Sequence, residues 1–249
     1  MENTTASIRH SFDLSGRWAL VTGARGLALG MADGLSQAGA RVVLMSRTCP
    51  ENPAYPFIQA DLSDRESLKK GFNTVMELTG GRLDILVNCA GIQRRHECEA
   101  FPLEDWDEVL EVNLTACFEL CQLAGSAMLK QGKGKIINIA SMISFFGGIR
   151  IPAYAASKGG IAQLTKSLAV AWSGKGIQVN ALAPGYMATD MNTALLEDPV
   201  RSASILGRIP AGRWGTPEDM AGPCVFLASD ASDYVSGAVI PVDGAYLVY

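Results

Sequence analysis

The feature that most limits the possible folds of this chain is a series of seven short apolar runs that alternate with segments of helical periodicity. The runs occupy residues 18–22, 41–45, 57–60, 83–87, 135–139, 177–182 and 238–242. Nearly continuous apolar character is typical of strands covered on both faces, and the alternation with helices indicates βαβ units and a parallel sheet. We therefore expect a single α/β domain with a doubly wound, seven-stranded parallel sheet and helices on both faces. Ligands of such sheets bind beyond the carboxyl ends of the strands, so the residues there are the candidates for a site.

Composition excludes several classes of function. The net charge of −4 gives no long-range attraction to nucleic acid or to anionic membranes. The polar N-terminus lacks the apolar centre of a signal peptide, and no apolar run approaches the roughly 20 residues of a membrane helix. We expect a cytoplasmic protein without nucleic-acid or membrane partners, with a flexible tail over residues 1–12 and one domain over residues 13–249.

The cysteines suggest neither metal binding nor disulfides. Six cysteines are present without a Cys-x-x-Cys pair, and there are only two histidines to complete a metal site. Cys117 and Cys121, one helical turn apart, are expected to be small buried apolar residues rather than a redox pair. We predict no metal site.

A glycine-bearing turn, Thr22-Gly-Ala-Arg-Gly-Leu-Ala-Leu-Gly30, follows the first run and leads into a helical pattern. Free backbone N–H groups and the positive end of a helix dipole suit a pyrophosphate, so we predict nucleotide binding here, with a merely tight turn as the alternative. The predicted contacts are Gly23, Arg25, Gly26 and Leu27.

The second run ends in Ser46-Arg47 and lacks the acid that commonly binds a ribose 2′-hydroxyl. Arg47, with help from Arg25, could pair with a 2′-phosphate, which favours NADP(H) over NAD(H); a solvated arginine is the alternative. The following connection has three prolines, so we expect no full crossover helix and an open adenine side.

Polar residues follow the next two runs. Asp61, before Leu62, is expected either to accept a hydrogen bond from an adenine amine or to cap the helix that begins near Arg65. The fourth run ends in Asn88-Cys-Ala90-Gly91, small residues that let a cofactor lie against the backbone. Arg94 and Arg95 come next and could clamp a substrate carboxylate, although neighbours point differently and we expect only one to face the site. Solvated surface is the alternative.

Three further polar groups stand out. Residues 102–131 read as one long helical stretch that contains Asn113, and a buried amide there either distorts the helix or holds water at a site. Ser141 supplies a hydroxyl after the fifth run. Tyr154 precedes Lys158 by four residues, which places both side chains on one helical face, where the ammonium favours the phenolate. Such a pair can transfer protons, although an ordinary surface pair has the same spacing.

These motifs occur together and in order: Thr22-Gly23, Asn88-x-Ala90-Gly91, Asn113, Ser141, Tyr154-x-x-x-Lys158 and Pro184-Gly185. The set resembles the short-chain dehydrogenases/reductases over residues 13–247, and within them the members that interconvert a ketone and a secondary alcohol on sugar acids. The resemblance implies a Rossmann fold and an NADP(H)-dependent oxidoreductase in which Tyr154 is the general acid and base.

By the same resemblance, the catalytic residues are Asn113, Ser141, Tyr154 and Lys158. Lys158 would hold the nicotinamide ribose, Ser141 the carbonyl oxygen and Asn113 a water that relays protons. The expected cofactor contacts are Gly23, Arg25, Gly26, Leu27, Ser46, Arg47, Asp61, Leu62, Asn88, Ala90, Gly91, Tyr154, Lys158, Pro184, Gly185, Met187 and Thr189. The expected substrate contacts are Arg95, Arg150, Ser141 and Tyr186. Residues 186–210 would form a lid.

The glycine turn departs from the family pattern, because it is one residue short and has Ala28 where the last glycine would fall. Two other functions are considered. Apolar residues 143–146, with Tyr186 and Met187, could line a pocket for a bulkier biosynthetic ketone. The altered turn would also suit a nucleotide-binding scaffold without redox activity.

The resemblance also implies a homo-oligomer, a dimer or a tetramer. Apolar residues at helical spacing could face either a partner subunit or the sheet, and the sequence leaves both open. They are Ile161, Leu164, Leu168 and Trp172.

Overall fold

The structure is a computed structural model that describes residues 8–51 and 53–249. Its strands are β1 Trp18–Thr22, β2 Arg41–Ser46, β3 Phe57–Gln59, β4 Ile85–Asn88, β5 Gly134–Ile139, β6 Ile177–Pro184 and β7 Val239–Val242. All neighbours pair in parallel in the order β3-β2-β1-β4-β5-β6-β7. The predicted seven-stranded parallel sheet is confirmed. Its strand order reverses at β1 and β4, the point at which ligands bind in such sheets.

Helices cover both faces of the sheet, as predicted. They are α1 Ile8–Ser11, α2 Leu27–Gln37, α3 Arg65–Leu78, α4 Leu103–Leu110, α5 Ala116–Gln131, α6 Pro152–Trp172, α7 Thr193–Leu196, α8 Pro199–Leu206 and α9 Ala221–Ala228. Alternate side chains of β1 belong to two apolar cores, one on each face of the sheet. Val21 packs with α2 and α9, and Leu20 packs with α3, α5 and α6. Of the predicted tail, residues 1–7 lie outside the described residues and residues 8–11 form α1; the domain boundary at residue 13 stays a prediction.

The connection between β2 and β3 is a loop, as its prolines predict. Its described residues, 47–51 and 53–56, contain no helix. The Tyr55 hydroxyl donates a 2.6 Å hydrogen bond to the Asp33 carboxylate, which fastens the loop to α2. The described part of the connection between β2 and β3 is therefore mostly exposed to solvent.

The long helical stretch is one helix, Leu103–Gln131, in which a π-helical turn over Glu111–Thr115 joins α4 to α5. Within the described ranges it is the one helix long and apolar enough to span a membrane by length and composition. Its residues Leu120, Cys121 and Ala124 are buried in the core under the sheet. It therefore serves as a core helix of an α/β domain.

The apolar stripe of α6 faces its own sheet. Ile161 and Leu168 are buried in the core, and Leu164 and Trp172 pack against it. The ring of Trp172 lies so close to α5 that a Cβ added at Gly125 would stand 2.6 Å from it. Ile161 and Leu168 therefore face the sheet, whereas Leu164 and Trp172 remain partly exposed, so a contact of this stripe with a partner subunit stays a prediction.

Ion pairs fasten the amino ends of the strands. The ammonium of Lys135, in β5, is 2.7 Å from the Asp233 carboxylate and almost completely buried. Burial lowers the pKa of Lys135, and Asp233 opposes that effect. Arg17 and Lys133 both pair with Asp230, at 2.8 and 2.7 Å. These pairs tie the segment after α9 to β1 and β5.

A further ion pair supports α2, the helix that follows the glycine turn. Arg213 donates to both carboxylate oxygens of Asp219, at 2.7 and 2.8 Å, and the Thr216 N–H donates to the same carboxylate. Arg213 and these hydrogen bonds hold the pKa of Asp219 well below its usual range. The adjoining residue Pro217 packs directly on Gly30 of α2, where a Cβ would collide with its carbonyl oxygen at 2.2 Å.

Candidate active site

Two adjoining cavities run along the carboxyl edge of the sheet. The larger, a groove of about 540 Å³, crosses the ends of β1, β2 and β4. The smaller, an inner cavity of about 100 Å³, lies between the ends of β5 and β6 and the start of α6. Residues that line both include Leu27, Cys89, Gly91 and Thr189. The two cavities therefore form one continuous site.

Most of the predicted site residues line these cavities. The groove contacts Gly23, Arg25, Gly26, Leu27, Ser46, Arg47, Asp61, Leu62, Ala90 and Gly91. The inner cavity contacts Ser141, Tyr154, Lys158, Pro184, Gly185, Met187 and Thr189.

Asn88 is the exception among the predicted cofactor contacts. Its side chain is buried on the far side of β4, where Nδ2 donates to Asn138 Oδ1 at 2.9 Å and to Cys121 Sγ at 3.2 Å. Asn88 and Asn138 are register partners on β4 and β5, so the pleat sends both side chains into the core. The Asn88 amide therefore stabilises the sheet, and a cofactor contact of Asn88 through its backbone stays a prediction.

The glycine turn closes tightly at the start of α2. Gly23 and Gly26 have φ angles of 101° and 51°, which side chains with a Cβ rarely adopt. A Cβ at Gly23 would lie 3.0 Å from the Cβ of Ala28, which occupies the space that the shorter turn leaves. The first turn of α2 carries no acidic residue, so the positive end of its helix dipole is not neutralised from within the helix.

Two arginines flank this turn but differ in their partners. Arg25 lies 3.8 Å from Asp190, in an exposed pair that spans from the turn to residues 186–210. Arg47 makes no ion pair with the described residues and lines the groove beside Ser46. Arg47 is therefore the cation that remains available for an anionic ligand.

Asp61 does not cap the next helix. The cap of α3 is Asp64, whose carboxylate accepts from the N–H groups of Glu66 and Ser67. Asp61 instead accepts from the backbone and hydroxyl of Ser63, and these bonds lower its pKa below the usual range. The capping alternative is wrong, and Asp61 presents an ionised carboxylate to the groove.

Tyr154, Lys158 and Ser141 share the wall of the inner cavity. The Lys158 ammonium lies 5.6 Å from the centre of the Tyr154 ring and donates a 2.7 Å hydrogen bond to the Ile139 carbonyl. Ser141 is held by a 3.2 Å hydrogen bond from the Ile143 N–H to its hydroxyl oxygen. A phenol, an ammonium and a hydroxyl around one cavity can exchange a proton with a bound carbonyl or alcohol and stabilise its oxygen.

Asn113 lies in the π-helical turn, which agrees with the first of the two roles that the sequence left open, a distortion of the helix. The turn distorts the helix, a feature frequent at functional sites. The amide exchanges two hydrogen bonds with Ile92, at 2.8 and 2.9 Å, and donates to the Ser157 hydroxyl. Ser157 in turn donates to the Tyr154 carbonyl at 2.8 Å. The amide thus connects the loop after β4 to α6; its predicted water stays a prediction.

Ser144 makes a second link that the sequence did not indicate. Its hydroxyl accepts from the Ser141 N–H at 3.3 Å and donates to the Lys158 carbonyl at 2.7 Å. Short-range spacing cannot reveal such a contact, because the bond spans from the loop after β5 to α6. Ser144 thus connects Ser141 with Lys158, as Ser157 connects Asn113 with Tyr154.

The two adjacent arginines diverge, as their neighbouring positions predict. Arg94 pairs with Glu108 at 2.7 Å and with Asp105 at 3.6 Å. Arg95 instead donates a 3.0 Å hydrogen bond to the side-chain oxygen of Gln93. Burial lowers the pKa of Arg95, which nevertheless remains a cation at neutral pH.

Aromatic side chains form the outer wall, and the sequence predicted only one of them. Tyr186 packs edge-on against Trp214 and Tyr246, each with 5.4 Å between ring centres. Phe146 stacks on Tyr246, and the guanidinium of Arg208 covers that ring at 4.6 Å. Burial raises the pKa of Tyr246, so its hydroxyl stays protonated.

Cysteine and metal chemistry find no support at the site. Desolvation raises the pKa of the Cys89 thiol to about 12, against a smaller lowering by Lys158. No group of three or more potential metal ligands occurs in the described part of the chain.

Comparisons with known proteins agree with this geometry. A family model described as Enoyl-(Acyl carrier protein) reductase matches residues 21–246. The 2-dehydro-3-deoxy-D-gluconate 5-dehydrogenase of Bacillus subtilis is 47% identical over 96% of this chain and 98% of its own length. The gluconate 5-dehydrogenase of Gluconobacter oxydans is 41% identical over 95% and 97%.

Solved structures give the same result. A putative 2-deoxy-d-gluconate 3-dehydrogenase from Agrobacterium tumefaciens with bound NADP has a TM-score of 0.90 and 47% identity, covering 96% of this chain and 99% of that one. A gluconate 5-dehydrogenase from Burkholderia cenocepacia in complex with NADP and tartrate has a TM-score of 0.91 and 39% identity, covering 98% and 100%. These relatives are dehydrogenases, so a scaffold without redox activity is not supported. The chain belongs to the short-chain dehydrogenase/reductase family.

Proposed function

We propose that this protein is an NADP(H)-dependent oxidoreductase that interconverts a ketone and a secondary alcohol on a sugar acid. The observation that carries the proposal is the placement of Tyr154, Lys158 and Ser141 around one cavity that opens into a groove with a helix N-terminus. The names of the relatives, which include dehydrogenases of gluconate and of 2-dehydro-3-deoxy-D-gluconate, support the substrate class.

The groove fits a dinucleotide phosphate. The N-terminus of α2 suits the pyrophosphate, Arg47 suits the 2′-phosphate, and Asp61 suits the adenine amine. NADP(H), when bound, supplies or accepts the hydride. Relatives solved with bound NADP support this choice of cofactor.

Proton transfer takes place in the inner cavity. In the direction of reduction, the Tyr154 hydroxyl gives its proton to the substrate oxygen, which becomes an alcohol, and the reverse occurs in oxidation. Ser141 donates a hydrogen bond to the same oxygen and stabilises the charge that develops there. Lys158 holds the cofactor ribose and stabilises the phenolate, while Asn113 fixes the loop over them.

The acid group of the substrate would bind at the outer rim of the inner cavity. A hydrogen bond from the His96 N–H to the Arg150 carbonyl joins the loops that carry Arg95 and Arg150, and guanidinium groups bind carboxylates with two parallel hydrogen bonds. A bulkier, less polar ketone is the second candidate, because Phe145 and Ile149 of the neighbouring loop are exposed beside this rim.

Assembly and location are part of the proposal. We expect a homo-oligomer, a dimer or tetramer, formed through apolar residues that remain exposed on α5 and α6, among them Phe118, Leu129 and Val170. Cytoplasmic location is supported by the six cysteines, all of which are free thiols. Light scattering coupled to size exclusion measures the assembly, and a monomer at micromolar concentration would contradict it.

The test of function follows the near-ultraviolet absorbance of NADPH with a panel of ketones. We expect consumption with 5-keto-D-gluconate and related keto acids, and a loss of about 10³-fold or more in kcat for Tyr154→Phe, because the proton donor is removed. Turnover of carboxylate-free bulky ketones, unchanged in Arg95→Ala, would select the second candidate. No turnover of any ketone would contradict both.

A further inference from the structure

Tyr246, in the last turn of the chain, packs between three segments that come from elsewhere in the sequence. The residue is 5% exposed, and its ring lies edge-on against Tyr186 with 5.4 Å between the ring centres. Phe146 stacks on the same ring at 6.1 Å, and the guanidinium of Arg208 covers it at 4.6 Å. One side chain therefore joins the loop after β5 to both ends of residues 186–210.

The residues around Tyr246 adjoin residues that line the inner cavity. Ser141 and Gly185 both line that cavity. The next residue after each of them, Met142 and Tyr186, packs in the same apolar cluster as Tyr246. Ser141 also caps the short helical turn that begins at Met142. A shift of this cluster would therefore displace the Ser141 hydroxyl and the cavity wall at Gly185.

The backbone around Tyr246 is held by contacts that do not involve its ring. The Asp243 carboxylate accepts a hydrogen bond from the Ala245 N–H at 3.0 Å. Ala245 has a φ angle of 72°, which is uncommon for a residue with a Cβ and persists only where surrounding contacts enforce it. The Gly244 carbonyl accepts from the Ala211 N–H at 3.1 Å, which ties this turn to the segment that follows residue 210. These contacts fix the point from which the ring projects.

Residues 186–210 are attached to the rest of the protein at both ends. At the start, the Gly215 N–H donates to the Tyr186 carbonyl at 3.0 Å. At the end, Ile209 is buried in the same cluster as Tyr246. Most side chains between these two points are partly or fully exposed. Loss of the Tyr246 ring would therefore weaken the second attachment of this segment.

We propose that Tyr246 is a positioning residue for the substrate: its ring holds the wall of the inner cavity and the far end of residues 186–210 in the arrangement that binds the ketone. This inference rests on the proposed function. Among the described residues, none that lines the nucleotide groove belongs to the Tyr246 cluster. The ring therefore acts on the substrate and not on NADPH.

The experiment compares wild type with Tyr246→Leu, Tyr246→Phe, Phe146→Leu and Phe72→Leu. Tyr246→Phe keeps the ring and its contacts, and Phe146→Leu removes a partly exposed partner of the ring without a change in the core. Phe72→Leu is the matched control, because Phe72 is a buried aromatic residue of α3 in a different apolar core. Steady-state constants are measured with 5-keto-D-gluconate, Kd for NADPH by fluorescence titration, and Tm by thermal scans.

We expect Tyr246→Leu to lower kcat/KM for the keto acid about 10- to 100-fold, because the cavity wall loses its alignment, while Kd for NADPH stays within about 3-fold. Phe146→Leu should lower kcat/KM about 3- to 10-fold. Tyr246→Phe should remain within about 3-fold of wild type, since the contacts of the ring are kept. Phe72→Leu should lose Tm to a similar extent as Tyr246→Leu and keep the kcat/KM of wild type.

Three results would overturn the inference while the proposed function stands. They are an unchanged kcat/KM in Tyr246→Leu, an equal loss of kcat/KM in Tyr246→Leu and Phe72→Leu, and a loss of NADPH affinity in Tyr246→Leu as large as its loss of kcat/KM. A wild type that turns over no ketone of any kind overturns the proposed function and this inference with it.

Discussion

The Asn113 side chain donates a hydrogen bond of 3.1 Å to the hydroxyl of Ser157, which joins the π-helical turn of one helix to the start of another. Ser157 is completely buried and donates onward to the carbonyl of Tyr154. One hydroxyl therefore holds the backbone of the proton donor against the amide that fixes the loop after β4. The position of the phenol depends on this contact.

Removal of that hydroxyl should slow the reaction. For Ser157→Ala we expect kcat for ketone reduction to fall about 10-fold with little change in KM for NADPH, because Tyr154 loses its alignment and not the cofactor site. Ser173→Ala is the control, since Ser173 makes the same kind of bond, to the Ala169 carbonyl, at the far end of α6. Both variants should lose about 2–4 °C in Tm. Equal kcat values in the two variants would show that the role of Ser157 is structural only.

Arg47 should decide between the two nicotinamide cofactors. For Arg47→Ala we expect Kd for NADPH to rise about 10- to 100-fold and Kd for NADH to stay within about 3-fold, since only NADPH offers a 2′-phosphate to the guanidinium. Arg25→Ala should have a smaller effect, because Arg25 already lies near Asp190. Fluorescence titration of both cofactors measures these constants. A parallel loss of both affinities would contradict the assignment.

The pair of the buried Lys135 and the half-exposed Asp233 should show an asymmetry. Asp233→Asn leaves the buried ammonium without its partner, and we expect Tm to fall by roughly 4 °C or more. Lys135→Met removes the buried charge together with its desolvation cost, so its Tm should equal or exceed that of wild type. The double variant should resemble Lys135→Met. A Tm for Lys135→Met as low as that of Asp233→Asn would contradict this account.

The same pair gives a pH dependence with a definite sign. Because the pKa of Lys135 is lowered in the folded state, that state releases its proton before the unfolded chain does. Stability from this group therefore increases as pH rises through the lowered pKa toward the usual lysine value of about 10.4. The difference in Tm between Lys135→Met and wild type should shrink over that range.

Asp219 should contribute stability that acid removes. Its folded pKa is depressed, so the contribution is complete above the unfolded value of about 3.9 and is lost as pH falls through the folded pKa. For Asp219→Asn we expect a loss of about 2–4 °C in Tm at neutral pH, because the bidentate pair with Arg213 is lost and the hydrogen bond from the Thr216 N–H no longer has a charged acceptor. Thermal scans should show that the gap to wild type narrows below about pH 4. A difference in Tm that stays constant with pH would indicate that packing, and not the charge of the carboxylate, accounts for the loss.

The fold could be predicted because its signal is local. The apolar runs mark strands, their alternation with helices requires parallel pairing, and the prolines before β3 exclude a helix. Arg94 and Arg95 could be expected to diverge, but which one faces the site depends on Glu108 and Asp105, which α4 brings from elsewhere in the chain.

The residues that sequence reasoning missed depend on contacts between distant segments. Asn88 follows the motif of a cofactor contact, yet its register opposite Asn138 sends the side chain into the core. Ser144 has no distinctive spacing, and its role appears only once the loop after β5 comes to lie against α6. Tyr246, near the end of the chain, joins the aromatic wall for the same reason.

The connection between β2 and β3, whose described residues form no helix, has a practical consequence for handling the protein. A dinucleotide whose phosphates lie at α2 would direct its adenine toward residues 47–51 and 53–56, which are mostly exposed to solvent. A linker attached at the adenine amine should pass through this gap without displacing a helix. We therefore expect the enzyme to be retained on a resin that carries NADP tethered through its adenine, and to be eluted by free NADP.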